Sequence, residues 1–200
     1  MLIGIICEGR LDSRPLEILV ERTISSFEIQ FPLSFSVDFK KPYETKGSVY
    51  PKLAAAVSTL MQGDRPDILI VHSDVDTYPE RKTEISSWIR SNESLIPGIP
   101  VATLVVEPHF EDLFIKEKDS VVNYFNLAGH EELPHSNLQP KDRILKIIAG
   151  KRDLGEIDFT VLDEEIYSSL VEGFNIGSLK GRSEDYNKFQ QELRNHCGNL

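Results

Sequence analysis

Two short apolar runs, each followed by an amphipathic helical pattern, constrain the fold of this chain most strongly. Residues 2–7 read LIGIIC and residues 68–73 read ILIVHS. Runs of this length, rich in branched apolar side chains, are typical of strands that are buried on both faces of a parallel sheet. Each run therefore begins a strand–helix unit of an α/β fold.

Strand-like and helix-like patterns continue to alternate along the first part of the chain. Apolar patterns predict two more strands, over residues 31–39 and 101–106. Residues 40–48 are predicted as a loop, and Asp12 or Ser13 as the N-cap of the first helix. Helical spacing predicts the other helices over 50–61 and 80–91 and from residue 110 onward. We therefore predict an α/β fold with a Rossmann-like, mostly parallel sheet of about four strands flanked by helices.

The second part of the chain is less regular and mainly helical. Helical patterns occur there over residues 141–149, 164–172 and 183–193. We predict an α/β core over residues 1–118 and a mainly helical C-terminal extension over residues 119–200 that packs on this core.

Length, charge and cysteine content narrow the class of protein. A chain of 200 residues suits one domain, and its formal charge of −10 argues against broad non-specific binding to nucleic acid. That charge still allows a nucleic-acid enzyme whose acidic metal site contributes part of it. The N-terminus has no basic signal-peptide region, no apolar stretch is long enough to span a membrane, and Cys7 and Cys197 form no disulfide framework. We expect a cytoplasmic protein without a membrane partner.

Acidic residues follow three of the predicted strands. Glu8 comes after the first run, Asp74 and Asp76 after the second, and Glu107 and Glu111 after the 101–106 strand. Parallel strands end at one edge of a sheet, where open α/β folds place their sites, and carboxylates that converge there repel each other unless a cation neutralises them. Oxygen ligands of this kind suit Mg²⁺ or Mn²⁺. The predicted metal ligands are Glu8, Asp12, Asp74, Asp76, Glu107 and Glu111.

Each acidic cluster also has a purely structural interpretation. Glu8 can cap the following helix, Asp74 and Asp76 can be solvated loop residues, and Glu107 with Glu111 can stabilise a helix N-terminus through its dipole. In favour of a site, Asp74 and Asp76 are two residues apart, so in an extended segment they face the same side.

Histidine and basic residues near these clusters leave further alternatives open. His72 and His109 either orient water and contact phosphate or are hydrogen-bonded structural residues. Lys141 opens a helix after a proline, where it either faces a phosphate or is an exposed first-turn lysine. Basic residues near the acidic edge either hold a nucleic-acid backbone or balance the carboxylates: Arg10, Arg14, Arg81 and Lys82.

Taken together, these residues resemble the Toprim domain, the α/β metal-binding module of topoisomerases, primases and overcoming-lysogenization-defect (OLD) nucleases. In that family a glutamate ends the first strand and an Asp-x-Asp motif ends a later one, which here correspond to Glu8 and to Asp74 with Asp76. The segment IICEGRLD resembles the E-G-x-x-D form of OLD-type and RloB-like members. The segment EPHFEDLF is similar to their F-E-x-W segment, with Leu113 and Phe114 where the subgroup often has tryptophan.

The C-terminal part extends this resemblance. The segments PKDRILKII and FNIGSLKGRSEDYNKFQQEL look like the tail of small stand-alone bacterial proteins of the same subgroup, which are often encoded near ATPases. The resemblance then implies a role in defence against phage or mobile DNA, a nucleic-acid substrate and a partner ATPase, and it leaves self-association open.

We hypothesise a Mg²⁺- or Mn²⁺-dependent nuclease or phosphodiesterase whose catalytic residues are Glu8, Asp74, Asp76 and Lys141. Metal ions orient a water nucleophile and stabilise charge on the phosphate in such enzymes. The rival hypothesis is a non-catalytic Toprim-like scaffold or sensor subunit that binds a partner protein. A third, weaker alternative is nucleotide-sugar transfer through the Asp-x-Asp pair. Phosphate-loop, dinucleotide-binding and serine-hydrolase motifs are absent from the sequence.

Overall fold

The computed structural model describes residues 1–27, 36–127 and 133–198. Within these residues the strands form one five-stranded sheet, and every strand pairs with its neighbours in parallel. The strands are β1 (Leu2–Cys7), β2 (Asp38–Phe39), β3 (Tyr43–Glu44), β4 (Ile68–Asp74) and β5 (Val101–Val106). The predicted α/β class with a mostly parallel sheet is confirmed, with five strands instead of about four.

Helices flank this sheet and make up the C-terminal part of the chain. They are α1 (Arg10–Ser25), α2 (Leu53–Leu60), α3 (Arg81–Ser91), α4 (Asp112–Lys116), α5 (Lys118–Tyr124), α6 (Pro140–Asp153), α7 (Asp163–Glu172), α8 (Ile176–Arg182) and α9 (Glu184–Cys197). Short 3-10 turns occupy Tyr50–Lys52 and Glu93–Leu95. None of the helices in the described ranges is both long enough and apolar enough to cross a membrane.

The strand order creates a crevice between β1 and β4. The order is β2-β1-β4-β5, with β3 paired to the end of β1, so the chain leaves β1 towards one side of the sheet and later crosses to the other. Helix α1 packs on the face that contains Ile3 and Ile5, whereas Ile85 of α3 packs on the opposite face with Leu69 and Val71. In open α/β sheets, such a reversal opens a crevice at the carboxyl ends of the two strands.

Two hydrophobic clusters cover the two faces of the sheet. Alternating side chains of the buried strands explain this, since Ile3 and Ile5 of β1 belong to one cluster and Ile6 belongs to the other. The second cluster is closed by α2 and α3. The first is continuous from α1 through buried side chains of α4 to α9, so the C-terminal helices pack on the α/β core through shared apolar contacts.

Some predictions of local secondary structure were wrong, for reasons that differ between segments. The segment 40–48, predicted as a loop, contains β3, which forms because its two residues pair with the end of β1. Helices α5 and α8 were not predicted, because seven residues are too few to show a clear period. The first helix starts at Arg10 with Gly9 as N-cap, not at Asp12 or Ser13. Of the predicted strand over 31–39, residues 31–35 lie outside the described part of the chain, and among the described residues 36–39 the strand comprises 38–39.

Helix α9 covers β5, the last strand in the sheet order. The backbone N and the Oγ1 of Thr103 donate hydrogen bonds to Oε2 of Glu192 at 2.8 and 3.0 Å, and the ring of His196 bonds the backbone oxygen of Val101 at 3.1 Å. The two α9 residues are four apart and therefore lie on one helix face. Unpaired strand edges promote association with other strands, and α9 blocks this edge with its side chains.

We predict that Glu192→Ala lowers the free energy of unfolding by about 1–2 kcal/mol, because it leaves the Thr103 amide without its acceptor. Urea denaturation followed by circular dichroism measures this change. The matched control is Gln191→Ala on the exposed side of α9, which we expect to change the value by less than about 0.5 kcal/mol. Equal effects of the two substitutions would show that the edge contact contributes nothing.

Candidate metal centre

Glu8 is anchored at the carboxyl end of the sheet by the neighbouring strand. Its Oε1 accepts hydrogen bonds from Ser73 Oγ at 2.7 Å and from the backbone N of Asp74 at 3.3 Å. Nη1 of the buried Arg81 donates to the same oxygen at 3.5 Å. Arg81 therefore balances the charge of Glu8, which is one of the two roles that the sequence left open for this arginine.

Asp74, the last residue of β4, directs its carboxylate to the other face of the sheet. It is 7 % exposed, and its Oδ1 accepts a hydrogen bond from the backbone N of Phe110 at 2.8 Å. Nε2 of His72 lies 3.7 Å from Oδ1, and Nδ1 of His109 lies 3.8 Å from Oδ2. The carboxylate thus lies between two imidazole rings in a nearly dry environment.

Asp76 approaches Asp74 through a turn and not through strand alternation. Strand β4 ends at Asp74, and Asp76 adopts a left-handed conformation with φ of 51°, which aspartate tolerates better than most residues. Its backbone N donates to the oxygen of Pro108 at 2.9 Å, which fastens this turn to the segment that carries His109. The expected geometry of an extended Asp-x-Asp pair was therefore wrong, although both carboxylates still reach the same place.

The turn brings together a group of three side chains with metal-binding atoms. One donor atom each from Asp74, Asp76 and His109 lies within 4.8 Å of the other two, and Nδ1 of His109 is 2.8 Å from Oδ1 of Asp76. In the part of the chain that the structure describes, it is the one such group of three. Two carboxylates and an imidazole are a donor set that can hold a metal ion.

A cavity of about 360 Å³ opens beside this triad and shares Asp74 with it. Its wall contains four acidic side chains, one lysine and two glycines. The lining residues are Glu8, Gly9, Leu11, Asp12, Gly47, Asp74, Glu111 and Lys141. Lys141 is exposed at the first turn of α6 and supplies positive charge to an otherwise acidic wall.

Two of the cavity carboxylates are held by neutral donors. Asp12 accepts a hydrogen bond from the backbone N of Gly9 at 3.2 Å, so it supports the start of α1 from inside the helix. Glu111 is buried and accepts a hydrogen bond from the hydroxyl of Tyr167 at 2.9 Å. Burial and the adjacent Glu111 raise the pKa of Tyr167, so this hydroxyl remains a donor.

The crowding of carboxylates changes their protonation. Burial, reinforced by the negative charges of Asp12, Glu111 and Glu8, raises the pKa of Asp74 to about 9. Burial also raises the pKa of Asp12, against an opposing effect of His72 and with a further contribution from Glu111 and Glu8. In the absence of a metal ion, a proton therefore neutralises Asp74 at neutral pH.

Ion pairs outside the cavity and the triad involve Glu107 and two of the basic residues, Lys82 and Arg14. The Glu107 carboxylate is 59 % exposed and pairs with Lys82 at 3.3 Å, and Lys82 also binds Asp185 of α9 at 2.7 Å. Arg14 pairs with Glu17 along α1. The side chain of Arg10 is outside the described part of the structure. Of the six predicted metal ligands, the structure thus brings five to the cavity or the triad and turns Glu107 towards α9.

Sequence reasoning missed several residues that build the centre. Ser73 and Tyr167 hold Glu8 and Glu111, and no sequence signal distinguishes them from ordinary core residues. His109 was considered only as a residue near phosphate or as a structural one. Its position directly after an acidic strand end was the available signal that it belongs with the carboxylates.

Comparisons with known proteins identify no relative of this chain. No protein-family model matches the chain, no curated protein matches its sequence, and no solved structure matches its fold.

We predict that Asp74→Asn stabilises the metal-free protein at high pH. The folded state keeps the proton of Asp74 up to pH of about 9, whereas the unfolded chain releases it near pH ~4, so the wild type loses stability as pH rises between these values. Each pH unit between these values corresponds to about 1.4 kcal/mol, so at pH 8 we expect the free energy of unfolding of Asp74→Asn to exceed that of wild type by several kcal/mol, up to about 5 kcal/mol.

Chemical denaturation at pH 4.5 and pH 8 in the presence of a chelator measures this difference. The two proteins should converge at the lower pH. The exposed loop residue Asp64 provides the control, because Asp64→Asn should alter stability by less than about 0.5 kcal/mol at either pH. A destabilised Asp74→Asn at pH 8 would contradict the repulsion that we describe.

We also predict that Asp76→Asn and Glu107→Gln differ in metal binding. Asp76 belongs to the triad, so its loss should weaken divalent-ion binding by about tenfold or more, whereas Glu107→Gln should change it by less than about twofold. Isothermal titration calorimetry gives both affinities. A large effect of Glu107→Gln would show that this carboxylate turns into the site when metal binds.

Proposed function

We propose that this protein is a metal-dependent nuclease or phosphodiesterase of the Toprim type. The observation that carries the proposal is a single cavity at the β1–β4 crevice that is lined by Glu8, Asp12, Asp74, Glu111 and Lys141. Carboxylates that share one cavity need a cation, and a lysine in the same wall is suited to the negative charge of a phosphate. The triad of Asp74, Asp76 and His109 stands next to the cavity and supplies a place for that cation.

The residues of this chain have distinct parts in the proposed reaction. Asp74 and Asp76 would hold Mg²⁺ or Mn²⁺, which would supply Lewis-acid chemistry to a phosphoryl oxygen and to a water molecule. Glu8, with one oxygen anchored by Ser73, accepts the proton of the attacking water through its other oxygen. Lys141 binds a phosphate oxygen and so positions the scissile bond.

The order of the acidic residues supports the Toprim assignment. Glu8 follows β1, and the Asp74 and Asp76 pair stands at the end of β4, which is the order that the resemblance implies. The two strands are neighbours in the parallel sheet, so their ends lie side by side. The nucleic-acid substrate, the cytoplasmic location, the defence role and the partner ATPase stay predictions from the sequence and from that resemblance.

The test is hydrolysis of plasmid DNA, single-stranded DNA, RNA and bis(p-nitrophenyl) phosphate with Mg²⁺ or Mn²⁺. We expect cleavage by wild type that falls by at least about 100-fold in Asp74→Asn and Glu8→Gln, since each removes a group that acts in the transition state. Lys141→Ala should raise KM more than it lowers kcat, because it binds phosphate in the ground state as well.

The matched control is Glu172→Gln, an exposed carboxylate at the last residue of α7. Arg22 near the end of α1 bonds the backbone oxygen of Phe174, so this region lies at the far end of α1 from the cavity. Its activity should equal that of wild type. Metal binding without hydrolysis of any of these substrates, alone or with a neighbouring ATPase, would favour the scaffold hypothesis instead.

A further inference from the structure

The Nδ1 atom of His109 is the donor atom that this histidine contributes to the triad, and it lacks a hydrogen-bond partner among the described residues. Nδ1 of His109 is buried and has no hydrogen bond within the described residues, although Oδ1 of Asp76 is only 2.8 Å away. The two atoms are close but not aligned as donor and acceptor. Buried polar atoms normally have a partner, and an exception of this kind requires an explanation such as an ion.

The spacing of the donor atoms fits a shared ion. First-row metal ions bind nitrogen and carboxylate oxygen at roughly 2.0–2.2 Å, so two adjacent donors on one ion are roughly 3 Å apart and two opposite donors a little over 4 Å. From His109 Nδ1 the distances are 2.8 Å to Asp76 Oδ1 and 3.8 Å to Asp74 Oδ2, and every donor in the triad lies within 4.8 Å of the others. Small side-chain movements suffice to place all three on one ion.

A second histidine, His72, lies beside the carboxylate of Asp74 and provides an independent observation. His72 is 0 % exposed, and its Nδ1 must donate to the backbone oxygen of Leu104 at 2.9 Å because a carbonyl only accepts. Its Nε2 lies 3.7 Å from Oδ1 of Asp74 and has no hydrogen-bond partner among the described residues. Asp74 is thus bordered on both oxygens by ring nitrogens without partners.

We propose that the triad is a mixed nitrogen and oxygen site that selects a first-row transition ion of the Mn²⁺, Co²⁺ or Zn²⁺ class over Mg²⁺, with Nδ1 of His109 as the nitrogen ligand. Mg²⁺ prefers oxygen donors and gives up its water reluctantly, whereas imidazole is a good ligand for transition ions. His72 lies outside the triad, beside the other oxygen of Asp74. This inference rests on the metal site of the proposed function and names the ion that the site takes.

Calorimetric titration of the whole protein with each metal salt tests the selectivity. We expect Mn²⁺, Co²⁺ and Zn²⁺ to bind with increasing affinity, and all of them at least about tenfold more tightly than Mg²⁺. In His109→Gln an amide oxygen can replace the ring nitrogen, so the transition ions should lose about tenfold or more while Mg²⁺ affinity stays within about threefold.

Spectroscopy of the Mn²⁺-loaded protein tests the ligand itself. Electron spin-echo modulation from ¹⁴N should be present in wild type and absent in His109→Gln. The matched control is His196→Gln, because His196 bonds Val101 at the start of β5, the end of the strand opposite to the site, and this variant should retain the modulation. Circular dichroism shows whether each variant is folded. The spin-echo spectrum of the wild-type protein tests for a nitrogen ligand even if a variant fails to fold.

Three results would overturn the inference: equal affinity for Mg²⁺ and Mn²⁺, no nitrogen modulation in wild type, or modulation that persists in folded His109→Gln. The hydrolysis assay separates this failure from that of the proposed function. Cleavage that depends on Asp74 but is equally fast with Mg²⁺ and with Mn²⁺ would support the proposed enzyme and contradict the nitrogen ligand. Nitrogen-coordinated Mn²⁺ without hydrolysis of any substrate would support the proposed metal site and contradict the proposed enzymatic function.

Discussion

The mutual repulsion of buried carboxylates at one edge of the sheet is the interaction on which the rest of this structure depends. Asp74 is almost fully buried, and the negative charges of Asp12, Glu111 and Glu8 act on it together. Such a group is unfavourable in a protein interior unless it is neutralised, because both desolvation and like charge oppose ionisation. The structure retains the carboxylate, so the surrounding contacts must hold it in place against that free-energy cost.

Those contacts come from backbone and neutral side chains that the fold brings to the same edge. The backbone N of Phe110 binds Asp74, Tyr167 binds Glu111, and Ser73 binds Glu8. The partners are supplied by the β5–α4 connection, by α7 and by β4, so residues far apart in sequence position one cluster. The helical C-terminal part is consequently involved in the site as well as in the core, because Tyr167 of α7 and Lys141 of α6 both reach it.

The sequence predicted the strands that carry the site better than the geometry of the site. Runs such as residues 68–73 are apolar throughout because both faces of a central parallel strand are covered, and that pattern is local. Strand β3 has no such pattern, since only its pairing with β1 makes it a strand. Likewise Asp76 reaches Asp74 through a left-handed turn held by Pro108, and Glu107 turns to Lys82 and α9. Both outcomes depend on contacts between distant segments, which residue spacing does not encode.

Positive charge is distributed differently on the two faces of the sheet at this edge. Glu8 and Ser73 point towards α3, where the buried Arg81 supplies a permanent positive charge. On the opposite face lie Asp12, Asp74 and Glu111, and among the side chains that the structure describes no lysine or arginine forms an ion pair with them. Lys141 lines the cavity but is exposed to solvent, so water screens its charge.

Within the described residues, Arg81 balances the negative charge of Glu8. The negative charge of the other clustered carboxylates can be neutralised by a proton or by an ion from solution. A single proton neutralises one carboxylate, such as that of Asp74. A divalent ion at the triad would neutralise more than one carboxylate and would give the Nδ1 atom of His109 a partner. Since such an ion would bind the folded state and would have no comparable site in the unfolded chain, the repulsion that weakens the metal-free protein would become part of the driving force for metal binding.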